Sequence, residues 1–131
     1  MSMENVSGSV RILVVDDEVI VGNRLKQIFE KMGYEVEVRT NGTSALEVLD
    51  QKSFDIVITD LKMEGVDGMA VLGRVRELNP ATKVIIITGY AQLETSEQAF
   101  QEGVFDFIAK PFRLDELKQV VLRAVEEQRT T

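Results

Sequence analysis

The stretch Phe54-Asp-Ile-Val-Ile-Thr-Asp60 decides how this chain folds. Its centre is apolar and β-branched, it ends on a carboxylate, and Gly65 and Gly68 follow soon after. A short apolar run bounded by turn residues is typical of a strand that is buried on both faces of a parallel sheet. Ligands of open α/β folds bind at the carboxyl ends of such strands. The sequence therefore places Asp60 where chemistry is expected.

Four more segments have the pattern of strands. The apolar runs Ile12–Val15 and Lys83–Ile87 predict buried strands, and Phe105–Ala109 predicts the last strand of the chain. Apolar and charged residues alternate over Tyr34–Arg39, which predicts a half-exposed strand near the edge of the sheet. A helical pattern follows every strand, so the chain alternates five strands with five helices. Strict alternation predicts an α/β fold with right-handed crossovers, a parallel sheet and helices on both faces.

The helix ends also have recognisable signals. Thr43 and Asp67 are predicted to cap the helices that follow them. Gly33 and Gly103 are predicted to end two other helices, and Asn79-Pro80 a third. We expect a single domain over residues 10–128, with a flexible N-terminal tail at 1–9 and a short C-terminal tail at 129–131.

Composition narrows the classes of function. The 131 residues include no cysteine and no histidine, which excludes disulfides, thiolate sites and imidazole chemistry. The formal charge is −7, so direct binding of nucleic acid is not expected, whereas cations or basic protein surfaces are suitable partners. Apolar runs are too short for a membrane span, and the polar first residues do not resemble a signal peptide. We expect a cytoplasmic protein without membrane contact.

Polar residues end four of the five predicted strands: Asp16 with Asp17, Asp60, Thr88 and Lys110. Each has an ordinary structural explanation, because acids and threonines often cap turns and a lone lysine is usually a surface residue. A parallel sheet would nevertheless bring all of them to one rim. Three carboxylates repel one another unless a cation lies between them, and an all-oxygen ligand set favours Mg²⁺.

A carboxylate can also attack phosphorus and form an aspartyl phosphate. Such a transfer needs positive charge and a hydrogen-bond donor at the phosphoryl oxygens. A metal ion, Lys110 and Thr88 would supply them. No general base is needed when an ionised carboxylate is the nucleophile, so the absence of histidine agrees with this chemistry.

The ordered motifs identify a family. Val14-Val-Asp-Asp-Glu18, Asp60-Leu-Lys-Met63 with Asp67-Gly68, Ile87-Thr-Gly89 and Lys110-Pro-Phe112 resemble those of a response-regulator receiver domain, the phosphoacceptor module of bacterial two-component signalling. The resemblance covers residues of about 10 to 127. It implies a flavodoxin-like doubly wound sheet of strand order 2-1-3-4-5.

The resemblance also implies a role for each site residue. Asp60 would be the phosphoacceptor, Thr88 would hold the phosphoryl group and Lys110 would pair with it. Three side chains and one main-chain group would bind Mg²⁺: Asp17 directly, Asp16 more through water, Asp60, and the backbone carbonyl of Lys62. The Lys110-Pro111 bond is usually cis in this family.

Three further positions concern switching and lifetime. Phe107 stands at the position of the switch aromatic, although spacing alone would make it a plain core residue. Lys62 and Tyr90 flank the phosphoryl group in this family, and their long side chains could slow attack by water. Glu64 departs from the family pattern, since relatives often have proline there. It either tunes the loop and its metal affinity or points into solvent.

The resemblance implies a signalling switch that catalyses only its own phosphorylation and slow dephosphorylation. The donor would be a histidine kinase or phosphotransfer protein, and the face of the fourth helix, fifth strand and last helix would control an effector domain or protein, with transcription as one output. A phosphorylation-dependent homodimer through the last helix is a further hypothesis.

Two other classes of function share this architecture. A flavin or small-molecule binder would need a phosphate-cradling loop after the first strand, where this chain has Asp16-Asp-Glu18. A phosphohydrolase with an aspartyl nucleophile usually has a second aspartate two residues later, where this chain has Lys62. Both classes therefore fit less well.

Overall fold

Five parallel strands form one sheet in the structure, a computed structural model that describes residues 9–89 and 93–130. The strands are β1 Arg11–Val15, β2 Glu35–Arg39, β3 Ile56–Asp60, β4 Lys83–Thr88 and β5 Asp106–Ala109. Their order is β2-β1-β3-β4-β5, and every neighbouring pair is parallel. The predicted fold class and strand order are confirmed, including the position of the alternating strand β2 at an edge.

Five helices connect or follow these strands: α1 Val19–Lys31, α2 Gly42–Gln51, α3 Gly68–Leu78, α4 Leu93–Gln101 and α5 Leu114–Thr130. Apolar residues of α1 and α5, such as Phe29 and Leu117, pack on one face of the sheet. Residues of α2, α3 and α4, such as Ala45, Leu72 and Ala99, pack on the other. The sheet is therefore covered on both faces.

The central strand β3 supplies side chains to both apolar layers. Ile56 and Ile58 belong to the layer under α1 and α5, whereas Val57 belongs to the layer under α2, α3 and α4. All five residues of β3 are buried, which is why its sequence is an apolar run rather than an alternation. Asp60 is the last residue of β3, so its carboxylate lies at the carboxyl end of the sheet.

Most of the predicted helix ends are present. The Asp67 side chain accepts a hydrogen bond from the Ala70 amide at 3.0 Å and caps α3. Gly33 follows α1 with a φ of 93°, a left-handed conformation that glycine adopts without steric cost. Gly103 has the same role after α4, with a φ of 96°.

Two predictions are wrong. Asn41, rather than Thr43, caps α2, because its extended backbone lets its side chain accept from the Ser44 amide at 2.8 Å. Helix α5 continues through Arg129 and Thr130, which had been predicted to form a tail. Residues 126–129 are good helix formers, and nothing in them ends the helix.

Three predictions fall outside the described residues: the structure of residues 1–8, the position of Tyr90 and the tail at 131.

Candidate functional site

Four strands bring polar side chains together at the carboxyl ends of the strands. Asp60 is the last residue of β3 and Thr88 the last of β4, while Asp16 and Lys110 directly follow β1 and β5. The parallel register places the ends of these strands side by side. Asp16, Asp60 and Thr88 are buried, although two of them carry carboxyl groups. The convergence that the sequence predicted is therefore present.

The Lys110 ammonium lies among three carboxylates. Its Nζ is 3.4 Å from Asp16 Oδ2, 3.3 Å from Asp60 Oδ2 and 3.3 Å from Glu18 Oε1. The exposed fraction of the Lys110 side chain is 21%, and those of Asp16 and Asp60 are 6% and 10%. The buried charges are thus paired across residues that are distant in the sequence.

Asp17 completes a group of three aspartates at the carboxyl ends of β1 and β3. Carboxylate oxygens of Asp16, Asp17 and Asp60 all lie within 4.8 Å of one another, a spacing that could hold one metal ion. Asp17 is exposed, so a bound ion could keep water ligands on that side. Hard divalent cations such as Mg²⁺ prefer carboxylate oxygens and retain several waters.

One ammonium does not balance the charge of these acids, and burial disfavours their ionised forms. Burial raises the pKa of Asp60 and of Asp16, although the nearby Lys110 ammonium acts to lower both. Burial by itself would lower the pKa of Lys110, but the carboxylates of Asp16 and Asp60 raise it above its ordinary value. The site has excess negative charge, and its donor set fits an added divalent cation.

Main-chain contacts hold the site residues in place. The Lys110 amide donates to the Thr88 carbonyl at 2.8 Å, and the Asp16 amide donates to the Arg39 carbonyl at 3.1 Å. The Glu18 amide donates to Asp16 Oδ1 at 2.9 Å, which fixes the direction of that carboxylate. The peptide bond between Lys110 and Pro111 is cis, as the resemblance implied.

The loop after β3 is held closely against the end of the strand. The Gly68 amide donates to the Leu61 carbonyl at 2.9 Å. A Cβ at Gly68 would clash with the Asp60 carbonyl oxygen, and a Cβ at Gly42 would clash with the Val66 carbonyl oxygen. These two glycines permit the close packing that positions Asp60 and the loop.

Three of the remaining predicted residues, Phe107, Lys62 and Glu64, lie in the described part of the chain. Phe107, on β5, is half-buried against the layer under α2, α3 and α4. Lys62 and Glu64 are exposed in the loop after β3. For Glu64, this exposure agrees with the alternative that its side chain points into solvent. Tyr90 is not among the described residues.

No role at the site was predicted for Glu18 from the sequence. It was recognised only as the end of the Asp16-Asp-Glu18 motif, and its exposed carboxylate reaches Lys110 from the first turn after β1. Three consecutive acidic residues were the available signal. Sequence spacing could not show which of them faces the lysine, since that depends on the turn between β1 and α1.

A family model covers the part of the chain that contains these residues. The model of the response regulator receiver domain matches residues 12–122. This chain belongs to the receiver-domain family. Receiver domains of response regulators act with histidine kinases and with effector domains as parts of two-component systems.

Known receiver domains resemble this one in sequence and in structure. The regulatory protein AtoC of Escherichia coli (strain K12) is 40% identical over 118 residues, which are 90% of this chain and 26% of AtoC. A CheY-like receiver domain protein from Methanospirillum hungatei JF-1 has a TM-score of 0.89 and 32% identity, covering 93% of this chain and 98% of that one. This receiver domain therefore spans about a quarter of a curated relative such as AtoC.

A response regulator protein from Burkholderia pseudomallei has been solved with a phosphorylated aspartic acid, a calcium ion and citrate. Its TM-score to this receiver domain is 0.81 at 26% identity, with 93% of this chain and 72% of that chain covered. Among the described residues of this receiver domain, no helix is long and apolar enough to cross a membrane.

Proposed function

We propose that this receiver domain accepts a phosphoryl group on Asp60 from the phosphohistidine of a partner histidine kinase or phosphotransfer protein. The observation that carries the proposal is the buried Asp60 carboxylate at a strand end, 3.3 Å from the Lys110 ammonium and beside two more aspartates. The phosphorylated aspartic acid in the Burkholderia pseudomallei relative supports it.

In the transfer, a carboxylate oxygen of Asp60 forms a bond to phosphorus. The bond between phosphorus and the donor imidazole nitrogen breaks, and its electron pair leaves with the imidazole. Lys110 pairs with the phosphoryl oxygens and the Thr88 hydroxyl donates to one of them, so both stabilise the negative charge that Asp60 receives. Asp60 attacks without a general base, since an ionised carboxylate has no proton to remove.

Asp16, Asp17, Asp60 and the Lys62 carbonyl would hold Mg²⁺. The metal would supply positive charge to the phosphoryl oxygens. The grouping of three aspartates beside one ammonium supports this assignment. We propose a cytoplasmic location for the protein and no direct contact with nucleic acid or membrane.

Phosphorylation would then change a two-state surface. We propose that Thr88 moves toward the phosphoryl group and that Phe107 turns inward, which remodels the face formed by α4, β5 and α5. The half-buried position of Phe107 leaves it a further inward movement. An effector domain or protein would read this face, or a second copy would dimerise through α5.

The acceptor is tested by phosphorylation with acetyl phosphate and Mg²⁺. We expect one phosphate per chain, held as an acyl phosphate that hydroxylamine cleaves. We expect no labelling of Asp60→Asn, or of the wild type in excess chelator. Labelling that survives in Asp60→Asn would overturn the assignment. Asp55→Asn is a matched control, since Asp55 lies at the opposite end of β3.

Lys62 is proposed to lengthen the life of the phosphoryl group by obstructing water, together with Tyr90. We expect Lys62→Ala and Tyr90→Ala to hydrolyse the acyl phosphate faster than the wild type, each by a few-fold. The measurement is loss of phosphate from purified, phosphorylated protein over time. Equal rates in the wild type and both variants would contradict the hypothesis.

A further inference from the structure

The Lys110 ammonium is fully engaged before any phosphoryl group arrives. An ammonium carries three N–H donors, and three carboxylates lie at hydrogen-bond distance, from Asp16, Asp60 and Glu18. To pair with a phosphoryl group on Asp60, Lys110 has to release at least one of these acceptors. The choice of which acceptor it releases affects the free energy of phosphoryl binding.

Glu18 is the acceptor that can be released at least cost. Its side chain is 64% exposed, whereas that of Asp16 is 6% exposed, so water replaces the lysine at Glu18 but not at Asp16. Asp16 is also fixed by the Glu18 amide. Asp60 is the residue that would be modified and stays beside the lysine. The rearrangement that requires the least free energy is therefore the exchange of Lys110 from Glu18 to the phosphoryl oxygens.

The Glu18 side chain has no evident structural task that would obscure this role. Glu18 is the N-cap residue of α1, but its side chain makes no capping hydrogen bond. Among the contacts of the described residues, the polar partner of its carboxylate is Lys110. The hydrogen bond to Asp16 comes from the Glu18 main chain and would survive a change of side chain.

We infer that Glu18 is a positioning residue that restrains Lys110 in the unmodified domain and competes with the phosphoryl group for its ammonium. The inference rests on the proposed phosphoacceptor role of Asp60. Removing the Glu18 carboxylate frees Lys110 for the phosphoryl group. Glu18 thereby sets how readily the unmodified domain passes to the phosphoryl-bound state.

The test measures the affinity for beryllium trifluoride, a stable analogue of the phosphoryl group, by calorimetry with Mg²⁺ saturating for each variant. We expect Glu18→Gln to bind the analogue about two- to fivefold more tightly than the wild type, as expected for losing one competing exposed ion pair. Glu30→Gln is the matched control. It removes the same charge from an exposed position in α1 and should leave the affinity unchanged.

Two further variants separate competition for Lys110 from simple charge repulsion. Glu18→Asp keeps the charge but is one methylene too short to hold Lys110, so it should behave like Glu18→Gln. In a Lys110→Ala background, Glu18→Gln should have no effect on affinity. A merely structural role or a general charge effect would not depend on Lys110.

Several outcomes would overturn the inference: unchanged affinity in Glu18→Gln, wild-type affinity in Glu18→Asp, or an undiminished effect without Lys110. If Lys110→Ala binds too weakly to measure, a double-mutant cycle on urea unfolding of the metal-free protein replaces that arm. Zero coupling between Glu18 and Lys110 would then reject the contact. Wild-type binding that Asp60→Asn abolishes shows separately that the proposed acceptor site is correct.

Discussion

Asp60 shows how a single residue can be set for chemistry at a cost to the fold. Burial raises its pKa, with Lys110 opposing only in part, so the folded metal-free protein favours the protonated form more than the unfolded chain does. A carboxyl whose folded pKa is raised makes stability fall as pH rises from its ordinary value through the raised one. The penalty is fully present once the pH lies above the raised pKa of Asp60.

We therefore expect Asp60→Asn to raise the free energy of unfolding of the metal-free protein at pH 7, because the amide keeps the shape without the buried charge. The gain should shrink as pH falls through the raised pKa of Asp60 and be absent below the ordinary aspartate value of 3.8. Urea unfolding at several pH values in a chelator measures it. A loss of stability at pH 7 would show that the ion pair with Lys110 outweighs burial.

At the scale of elements, the junction between β3 and α3 depends on the absence of a side chain. Gly68 begins α3 where a Cβ would meet the Asp60 carbonyl oxygen and Leu61 Cα. Asp67 caps the helix immediately before it, so the helix start and the strand end are fixed together. Neither backbone segment can move without disturbing Asp60.

Gly68→Ala should lower the free energy of unfolding by about 1–3 kcal/mol, as overpacking against main chain does. The control is Gly73→Ala in the same helix, where a Cβ meets no atom within 4 Å. That change should be neutral or stabilise by up to about 1 kcal/mol, since alanine favours helices. Urea unfolding compares the two. Equal effects would argue against a tight junction at Gly68.

At the scale of the whole molecule, a cation that binds only the folded state should couple the site to global stability. The three aspartates come from two strands, and their group forms only when the sheet is assembled. We expect Mg²⁺ to raise the melting temperature. At a Mg²⁺ concentration a hundred times its dissociation constant, the free energy of unfolding should rise by about 2.7 kcal/mol.

The same measurement with NaCl at equal ionic strength separates specific binding from screening. Asp17→Asn should weaken the response to Mg²⁺, since Asp17 is the exposed member of the aspartate group. Glu30→Gln should leave it intact. An equal response to NaCl, or an unchanged response in Asp17→Asn, would remove the basis for the metal site.

The sequence by itself determined the α/β class, the five strands and the residues at their carboxyl ends. Those features follow from local patterns: apolar runs for β1, β3 and β4, alternation for β2, and stops at Gly33 and Gly103. The convergence of polar side chains was predictable because a parallel sheet must bring the carboxyl ends of its strands together. The motifs then supplied the family.

Only the tertiary structure decided the contacts that join distant segments. Lys110 meets Glu18 across 92 positions of the sequence, and no periodicity encodes that distance. The cap of α2 fell to Asn41 because the chain is extended there, a backbone conformation that residue type alone does not fix. Burial and pairing depend on how the whole chain packs, whereas the identity of each element depends mainly on its own residues.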